Sequence, residues 1–166
     1  GANCFTGDFG YETTRLTAEA VASELGGAEA GQILVCSTGL IGTGDQVFRD
    51  KIVNNVPAIG AALRENDETA PAAILTTDSV EKTASYSSDA GWTIGAMAKG
   101  AGMLAPGLAT MLVVITTDAK IDSANLDRAL RGATSSSFDR LDSDGCMSTN
   151  DQVTVLASGA SGVAPD

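Results

Sequence analysis

The stretch Lys99-Gly-Ala-Gly-Met-Leu-Ala-Pro-Gly-Leu-Ala109-Thr110-Met-Leu-Val-Val-Ile-Thr-Thr-Asp118 runs a glycine-rich approach into a β-branched segment, with one threonine at the junction. Met111 to Thr117 is the most strand-like run in the chain, because β-branched side chains suit a pleated surface. On pattern alone the junction is an ordinary loop entering a buried strand. A second reading is chemical. A threonine hydroxyl inside a chain is a weak nucleophile, but at a new N-terminus its own α-amine, of pKa near ~8, can act as the adjacent base. That arrangement needs no histidine, and the chain has none. A Ser-His-Asp or Cys-His site is therefore excluded, as is a histidine-ligated metal centre.

Next to this junction, Lys82-Thr-Ala-Ser-Tyr-Ser-Ser88 and Gly91-Trp-Thr-Ile-Gly-Ala-Met-Ala98 read as two strands joined by a turn at Asp89-Ala90. Gly95 either weakens the second strand or admits a close backbone. Downstream, Ser123 is placed to cap a helix carrying Leu126, Ala129 and Leu130 and extending towards Leu141, and Gln152 to Ser158 reads as a closing strand. Upstream, Thr14 to Leu25 carries Leu16, Ala20, Val21 and Leu25 near helical spacing and stops at Gly26-Gly27. Ile33 to Ser37 reads as a buried strand emptying into the glycine-rich turn Thr38-Gly-Leu-Ile-Gly-Thr-Gly44. From Asp45 to Asn66, Val47, Phe48, Ile52, Val56, Ile59 and Leu63 trace one helical face, which Pro57 divides or restarts. The mixed order predicts a layered α/β or α+β domain without internal repeats.

The 166 residues suffice for one domain with a sizeable core, but the chain opens on Gly1-Ala2-Asn3 and closes on the loop residues Ala160 to Asp166. It is read as an internal piece of a longer protein, in preference to one that has lost a leader. A net charge of −11, from 10 basic and 21 acidic residues, repels a phosphate backbone and argues against a nucleic-acid partner. No apolar run approaches the ~20 residues of a membrane span, and no signal segment is present, so a cytoplasmic location is expected. Cys4, Cys36 and Cys146 lack CxxC spacing, and are expected to be small buried residues and not disulfide partners or metal ligands.

Four segments in order resemble the ornithine acetyltransferase family of arginine biosynthesis. They are Cys36-Ser-Thr-Gly-Leu-Ile-Gly42, Thr76-Thr-Asp78, Lys99 to Pro106 continuing through Ala109-Thr110-Met-Leu112, and Asp144-Gly-Cys-Met-Ser-Thr-Asn-Asp151. The opening Gly1-Ala-Asn-Cys-Phe-Thr-Gly7 is similar to the family's Ala-Asn-rich segment, with Cys4 and Phe5 where Ala-Cys is usual. The resemblance spans essentially the whole chain, as the middle of a family member. It implies strands sandwiched between helices, and self-cleavage between Ala109 and Thr110, with residues 1–109 ending an α chain and 110–166 starting a β chain that stay associated, in a higher oligomer. It further implies that Thr110 takes the acetyl group of N-acetylornithine and passes it to glutamate in a ping-pong transfer. Thr38 and Gly39 map onto the family's oxyanion pair, and Thr76, Lys99 and Thr110 onto positions that contact substrate. No cofactor is implied, although some members also take acetyl-CoA as donor.

Each position also has a plainer reading. Cys36 to Gly44 as a strand-to-helix turn, Lys99 as a solvated surface lysine and Thr76 as a turn or capping threonine are the alternatives. GxGxxG and GxxxxGK are both unsatisfied, which removes a phosphate loop. Asp142-Ser-Asp-Gly145 is faintly like a calcium loop, but Arg140 stands where the first ligand belongs and Asp151 where a glutamate closes such a loop, so it is read as a turn, while the resemblance puts Gly145 to Asp151 near the active site. One departure stands beside the oxyanion pair: after Gly42 the chain has Thr43-Gly-Asp-Gln-Val-Phe-Arg-Asp-Lys-Ile52 where the family often has Leu-Pro-Met-Asp-Lys-Ile. Further substrate contacts in the family lie beyond Asp166, so the piece alone is not expected to turn over substrate. Two other functions remain open from the sequence: a self-cleaving amidohydrolase or aminopeptidase that uses water as acceptor, and a non-catalytic binding domain in which Thr110 stays internal.

Overall fold

The computed structural model describes residues 6–65 and 68–165. They belong to two compact units, dividing between Glu68 and Thr69. The first unit is helical. Helix α1 spans Gly7–Leu25, a 3₁₀ turn covers Ala30–Gln32, and helix α2 spans Gln46–Ala61. The glycine stop is as expected: Gly26 takes the left-handed conformation and its N–H bonds the Ala22 carbonyl at 3.1 Å. Asp45 caps α2 by accepting from the Phe48 N–H at 2.9 Å.

Three upstream expectations are corrected. Pro57 does not divide α2, which runs unbroken to Ala61; the proline forgoes only the one bond its missing N–H would make to the Val53 carbonyl, and the helix continues past it. Ile33 to Ser37 is extended but is not a strand, because among the described residues no element pairs with it, and its side chains alternate between half-buried Ile33, Val35 and Ser37 and exposed Leu34 and Cys36. The predicted apolar stripe of α2 is covered only at Val56, while Val47, Ile59 and Leu63 are exposed. The helices meet instead through small residues of α1, with Gly10, Thr13, Ala18 and Ala22 buried, and through Arg49 of α2. Small side chains leave room for a long one. Arg49 donates from Nε to Thr13 Oγ1 at 2.9 Å and from Nη2 to the Phe9 carbonyl at 2.7 Å, and its guanidinium lies 3.7 Å from the Phe9 ring centroid.

The second unit carries the sheet. A short helix α3 (Ala70–Ala73) precedes β1 (Lys82–Ser87) and β2 (Thr93–Lys99), which form the expected antiparallel hairpin. A tight hairpin of β3 (Leu104–Ala105) and β4 (Leu108–Ala109) leads into β5 (Leu112–Thr117), followed by helix α4 (Ser123–Ser136), a 3₁₀ turn at Phe138–Arg140 and β6 (Gln152–Ala157). The sheet order is β1-β2-β5-β6, with β5 antiparallel to β2 and parallel to β6. The parallel pair follows from the crossover through α4. This is the expected α/β class, with β5 in the sheet interior, where its β-branched run is paired on both sides. Asp122, not Ser123, caps α4, because its carboxylate accepts from the Asn125 N–H at 3.0 Å, and α4 stops at Ser136, short of Leu141.

The core of this unit joins Leu104, Ala109, Met111 and Val113, with Ala98, Ile115, Phe138 and Val153 packed against them. Full burial of a Met or Val side chain stabilises by about 1.5–3 kcal/mol each. Cys36 and Cys146 are exposed, which corrects their placement as buried residues. Cys4 lies outside the described residues. No described helix is long and apolar enough to cross a membrane, and no group of three or more Asp, Glu or Cys among the described residues is arranged to hold a metal ion.

The Arg49 contacts predict that Arg49→Lys destabilises the full-length protein by about 2 kcal/mol, because an ammonium replaces neither the forked donor set nor the stacking on Phe9. A denaturant midpoint equal to wild type would show that these bonds contribute nothing.

Candidate active site

Thr110 lies between the hairpin β3–β4 and the first residue of β5, half-buried between Ala109 (2 % exposed) and Met111 (4 % exposed). Burial of the two neighbours fixes the backbone on both sides of the threonine. Its own polar groups are also held. The Thr110 N–H donates to the Met103 carbonyl at 2.8 Å, and the Thr110 hydroxyl donates to Ser148 Oγ. Met103 reaches this position with a positive φ of 57°, an uncommon conformation for a side chain of its size. Pro106 and Gly107 make the turn of the hairpin, Gly107 in the left-handed region that type II turns require of one residue.

The loop from Leu141 to Asp151 straps this hairpin along its length. Asp144 Oδ2 accepts from the Met103 N–H at 2.9 Å, the Ser143 N–H bonds the Leu104 carbonyl at 2.9 Å, and the Ser148 N–H bonds the Leu108 carbonyl at 3.0 Å. At the base of the strap, the Gln152 N–H bonds the Met111 carbonyl at 2.9 Å. The backbone amides of Met103 and Cys146 hold the Asp144 carboxyl below its ordinary range. Burial pushes the Asp151 carboxyl up, against the opposing effect of the Ala109 amide, and repulsion from Asp139 adds to the rise. The loop is thus a turn, as read from the sequence, and it packs beside Thr110 as the resemblance implied.

On the other side of Thr110 stands the end of β2. A Cβ placed on Gly100, whose φ is +155°, would lie 3.2 Å from the Thr110 carbonyl oxygen and 3.4 Å from Leu104 Cδ2. This close approach explains why the chain turns on a glycine directly after Lys99. Lys99 is 2 % exposed, which overturns its reading as a surface lysine. Burial lowers its pKa; the Asp78 charge works against that and the Lys82 charge adds to it. A buried lysine beside a nucleophile candidate is a functional-site signal in its own right.

Asp78 connects the Thr76 segment to this group. Its enclosed carboxylate accepts from the Gly100 N–H at 2.7 Å and from Lys82 Nζ at 2.5 Å through Oδ1, while Oδ2 is buried and has no hydrogen-bond partner among the described residues. Burial pushes this carboxyl up, but the Lys82 and Gly100 hydrogen bonds, the Lys82 charge and the Thr76 amide together hold it below its ordinary value. Thr76 itself is exposed in the loop after α3, two residues from Asp78. A shallow hollow lined by Thr93, Thr117, Asp118 and Ser158 lies at the opposite end of β5 and includes none of the expected residues.

Thr110, Ala109, Lys99 and Thr76 all belong to the second unit, and Thr38 and Gly39 to the first. Within the first unit, Thr38 is half-buried at the end of the extended segment 33–38, and Gly39 has a φ of +105° that favours glycine. The segment then turns into α2, with Thr43 Oγ1 donating to the Leu40 carbonyl at 3.1 Å. Sequence reasoning assigned no role to Ser148 or Asp78. Both stand inside quoted motifs, but no local signal shows that Ser148 reaches 38 residues back to Thr110 or that Asp78 reaches 22 residues forward to Gly100.

Residues 1–166 match the ArgJ family. The arginine biosynthesis bifunctional protein ArgJ of Streptomyces coelicolor is 58 % identical over 167 residues, covering all of this chain and 43 % of that protein. The corresponding protein of Streptomyces avermitilis is 58 % identical over 99 % of this chain and 42 % of its own length. The chain therefore spans less than half the length of these curated relatives. Among solved structures, the crystal structure of ornithine acetyltransferase complexed with ornithine from Mycobacterium tuberculosis is similar, with a TM-score of 0.59 and 41 % identity over 64 % of this chain and 58 % of that one.

Asp78 has a depressed pKa, so its contribution to stability is complete above the unfolded value of about 3.9 and is lost as pH falls below it towards the folded value. Asp78→Asn in the full-length protein is expected to lower stability at pH 7 and to flatten the acid limb of a stability profile measured between pH 7 and pH 3. An unchanged acid limb would rule out this linkage.

Proposed function

The chain belongs to the ArgJ family, and from that premise we propose that it is the part of an acetyltransferase that carries the nucleophile, and that Thr110 moves an acetyl group from N-acetylornithine to glutamate after the chain is cut between Ala109 and Thr110. The observation that carries this reading is the position of Thr110. It stands at the entrance of an interior strand, with its hydroxyl on Ser148, its nitrogen on the Met103 carbonyl and buried Lys99 at the end of the adjoining strand.

In this scheme the freed α-amine accepts the Thr110 hydroxyl proton as Oγ1 attacks the acetyl carbonyl carbon. The carbon–nitrogen bond of N-acetylornithine then breaks, the departing ornithine nitrogen takes that proton, and an acetyl ester remains on Thr110. The amine of glutamate attacks the ester, the carbon–oxygen bond breaks, and the hydroxyl regains a proton. Thr38 and Gly39 are assigned as the oxyanion donors, each such donor supplying on the order of 3 kcal/mol of transition-state stabilisation. Thr76 and Lys99 are assigned to substrate binding, Lys99 opposite a substrate carboxylate. The chemistry requires no cofactor, and acetyl-CoA enters it only as an alternative donor. The active species is proposed to be cytoplasmic, with residues 1–109 in an α chain and 110–166 in a β chain, assembled as a higher oligomer.

The sheet supports the association of the two chains. β2 precedes the break and β5 follows it, and their ladder runs from Ile94 opposite Thr117 to Lys99 opposite Leu112. A cut at Ala109 leaves that ladder whole, so Thr110 stays anchored through β5, which β2 and β6 flank.

Intact-mass measurement on the full-length protein is expected to give two chains that co-purify and separate in denaturant, the second beginning at Thr110. N-acetylornithine added without glutamate is expected to leave an acetyl adduct on that second chain, and Thr110→Ala to abolish both cleavage and transfer. An uncut, fully active Thr110→Ala protein would overturn the proposal. Acetate release insensitive to glutamate would replace transfer by hydrolysis.

A further inference from the structure

Before any cut, the base described above does not exist. The Thr110 nitrogen is an amide, it has no basic lone pair, and its N–H is already committed to the Met103 carbonyl. The step that creates the N-terminal threonine therefore needs a different acceptor for the hydroxyl proton. Among the described residues the side chain bonded to that hydroxyl is Ser148. Its place is fixed independently of Thr110, because the Ser148 N–H bonds the Leu108 carbonyl at 3.0 Å and the Gln152 N–H bonds the Met111 carbonyl at 2.9 Å. The strap thus grips the chain at Leu108, two residues before the scissile bond, and at Met111, one residue after Thr110.

We propose that Ser148 is a further catalytic residue, specific to self-cleavage, that holds the Thr110 hydroxyl and relays its proton. This rests on the reading of Thr110 as the nucleophile. Thr110 Oγ1 attacks the Ala109 carbonyl carbon while its proton passes to Ser148 Oγ, and Ser148 hands its own hydroxyl proton to the Thr110 nitrogen as the carbon–nitrogen bond opens. The Thr110 nitrogen becomes an amine, and Ala109 is left as an ester on Thr110 Oγ1. Water then hydrolyses the ester to the Ala109 carboxylate and restores the Thr110 hydroxyl. No oxidant or outside group is consumed besides that water. After the cut the α-amine supplies the base, so the acetyl transfer has an acceptor that the precursor lacked.

The test follows pulse-labelled full-length precursor made by cell-free translation and records the first-order rate of cleavage at Ala109–Thr110. Ser148→Ala is expected to slow cleavage about a hundredfold, the lower end for loss of a positioned proton-transfer group, and Ser148→Thr, which keeps a hydroxyl, to restore it to within about threefold of wild type. Thermal unfolding of both variants in a Thr110→Ala background, which keeps them uncut, separates chemistry from folding, and equal midpoints for the two are expected. Cleavage of Ser148→Ala at the wild-type rate would overturn the role of Ser148 and leave Thr110 untouched. So would a Ser148→Thr protein that folds and cuts as slowly as Ser148→Ala. A wild-type precursor that never cuts at Thr110 would instead overturn the functional reading beneath it.

Discussion

The second unit depends on the burial of apolar residues on both sides of one polar position. Ala109 and Met111 are almost wholly enclosed, Leu104 and Val113 close the same cluster, and Thr110 sits between them half-buried. A side chain in that place has little backbone freedom left, because moving it would pull a neighbour out of the core. The hydroxyl is therefore aimed by packing, and polar contacts only complete its orientation. Such an arrangement suits the role proposed for Thr110, since entropy lost during folding need not be lost again at each reaction.

Around that anchor the polar groups divide by task. The strap from Leu141 to Asp151 holds the hairpin through backbone bonds to Leu104 and Leu108 and through Asp144 on the Met103 amide. Asp78 holds the opposite side by bonding the Gly100 amide, which stabilises a turn that favours glycine, since a Cβ there would press on the Thr110 carbonyl. Asp78 also offsets part of the penalty of burying Lys99, whose pKa falls by desolvation. A lysine placed so deep is more readily kept if an anion stands near it.

Much of this was legible in the sequence where the signal is local. The β1–β2 hairpin, β5 and β6 follow from period-two patterning, and the α1 stop from glycine at the position that needs a left-handed residue. Local reading failed where a partner decides the outcome. Ile33 to Ser37 has strand composition but no neighbour to pair with among the described residues, and the buried side of α2 is set by Arg49 reaching Thr13, against its own apolar periodicity. Lys99 illustrates the same limit: its motif suggested a role, but its burial depends on how β2 meets β5.

By itself the sequence determined the family, the threonine at the strand entrance and the absence of any histidine base, since these depend on residue identity and short-range spacing. Only the tertiary structure decided that Ser148 meets the Thr110 hydroxyl, that Asp78 meets Gly100 and that Lys99 is enclosed. The physical reason is range. The Ser148 and Asp78 contacts close loops of 38 and 22 residues, and the enclosure of Lys99 depends on the pairing of β2 with β5, which no local pattern encodes.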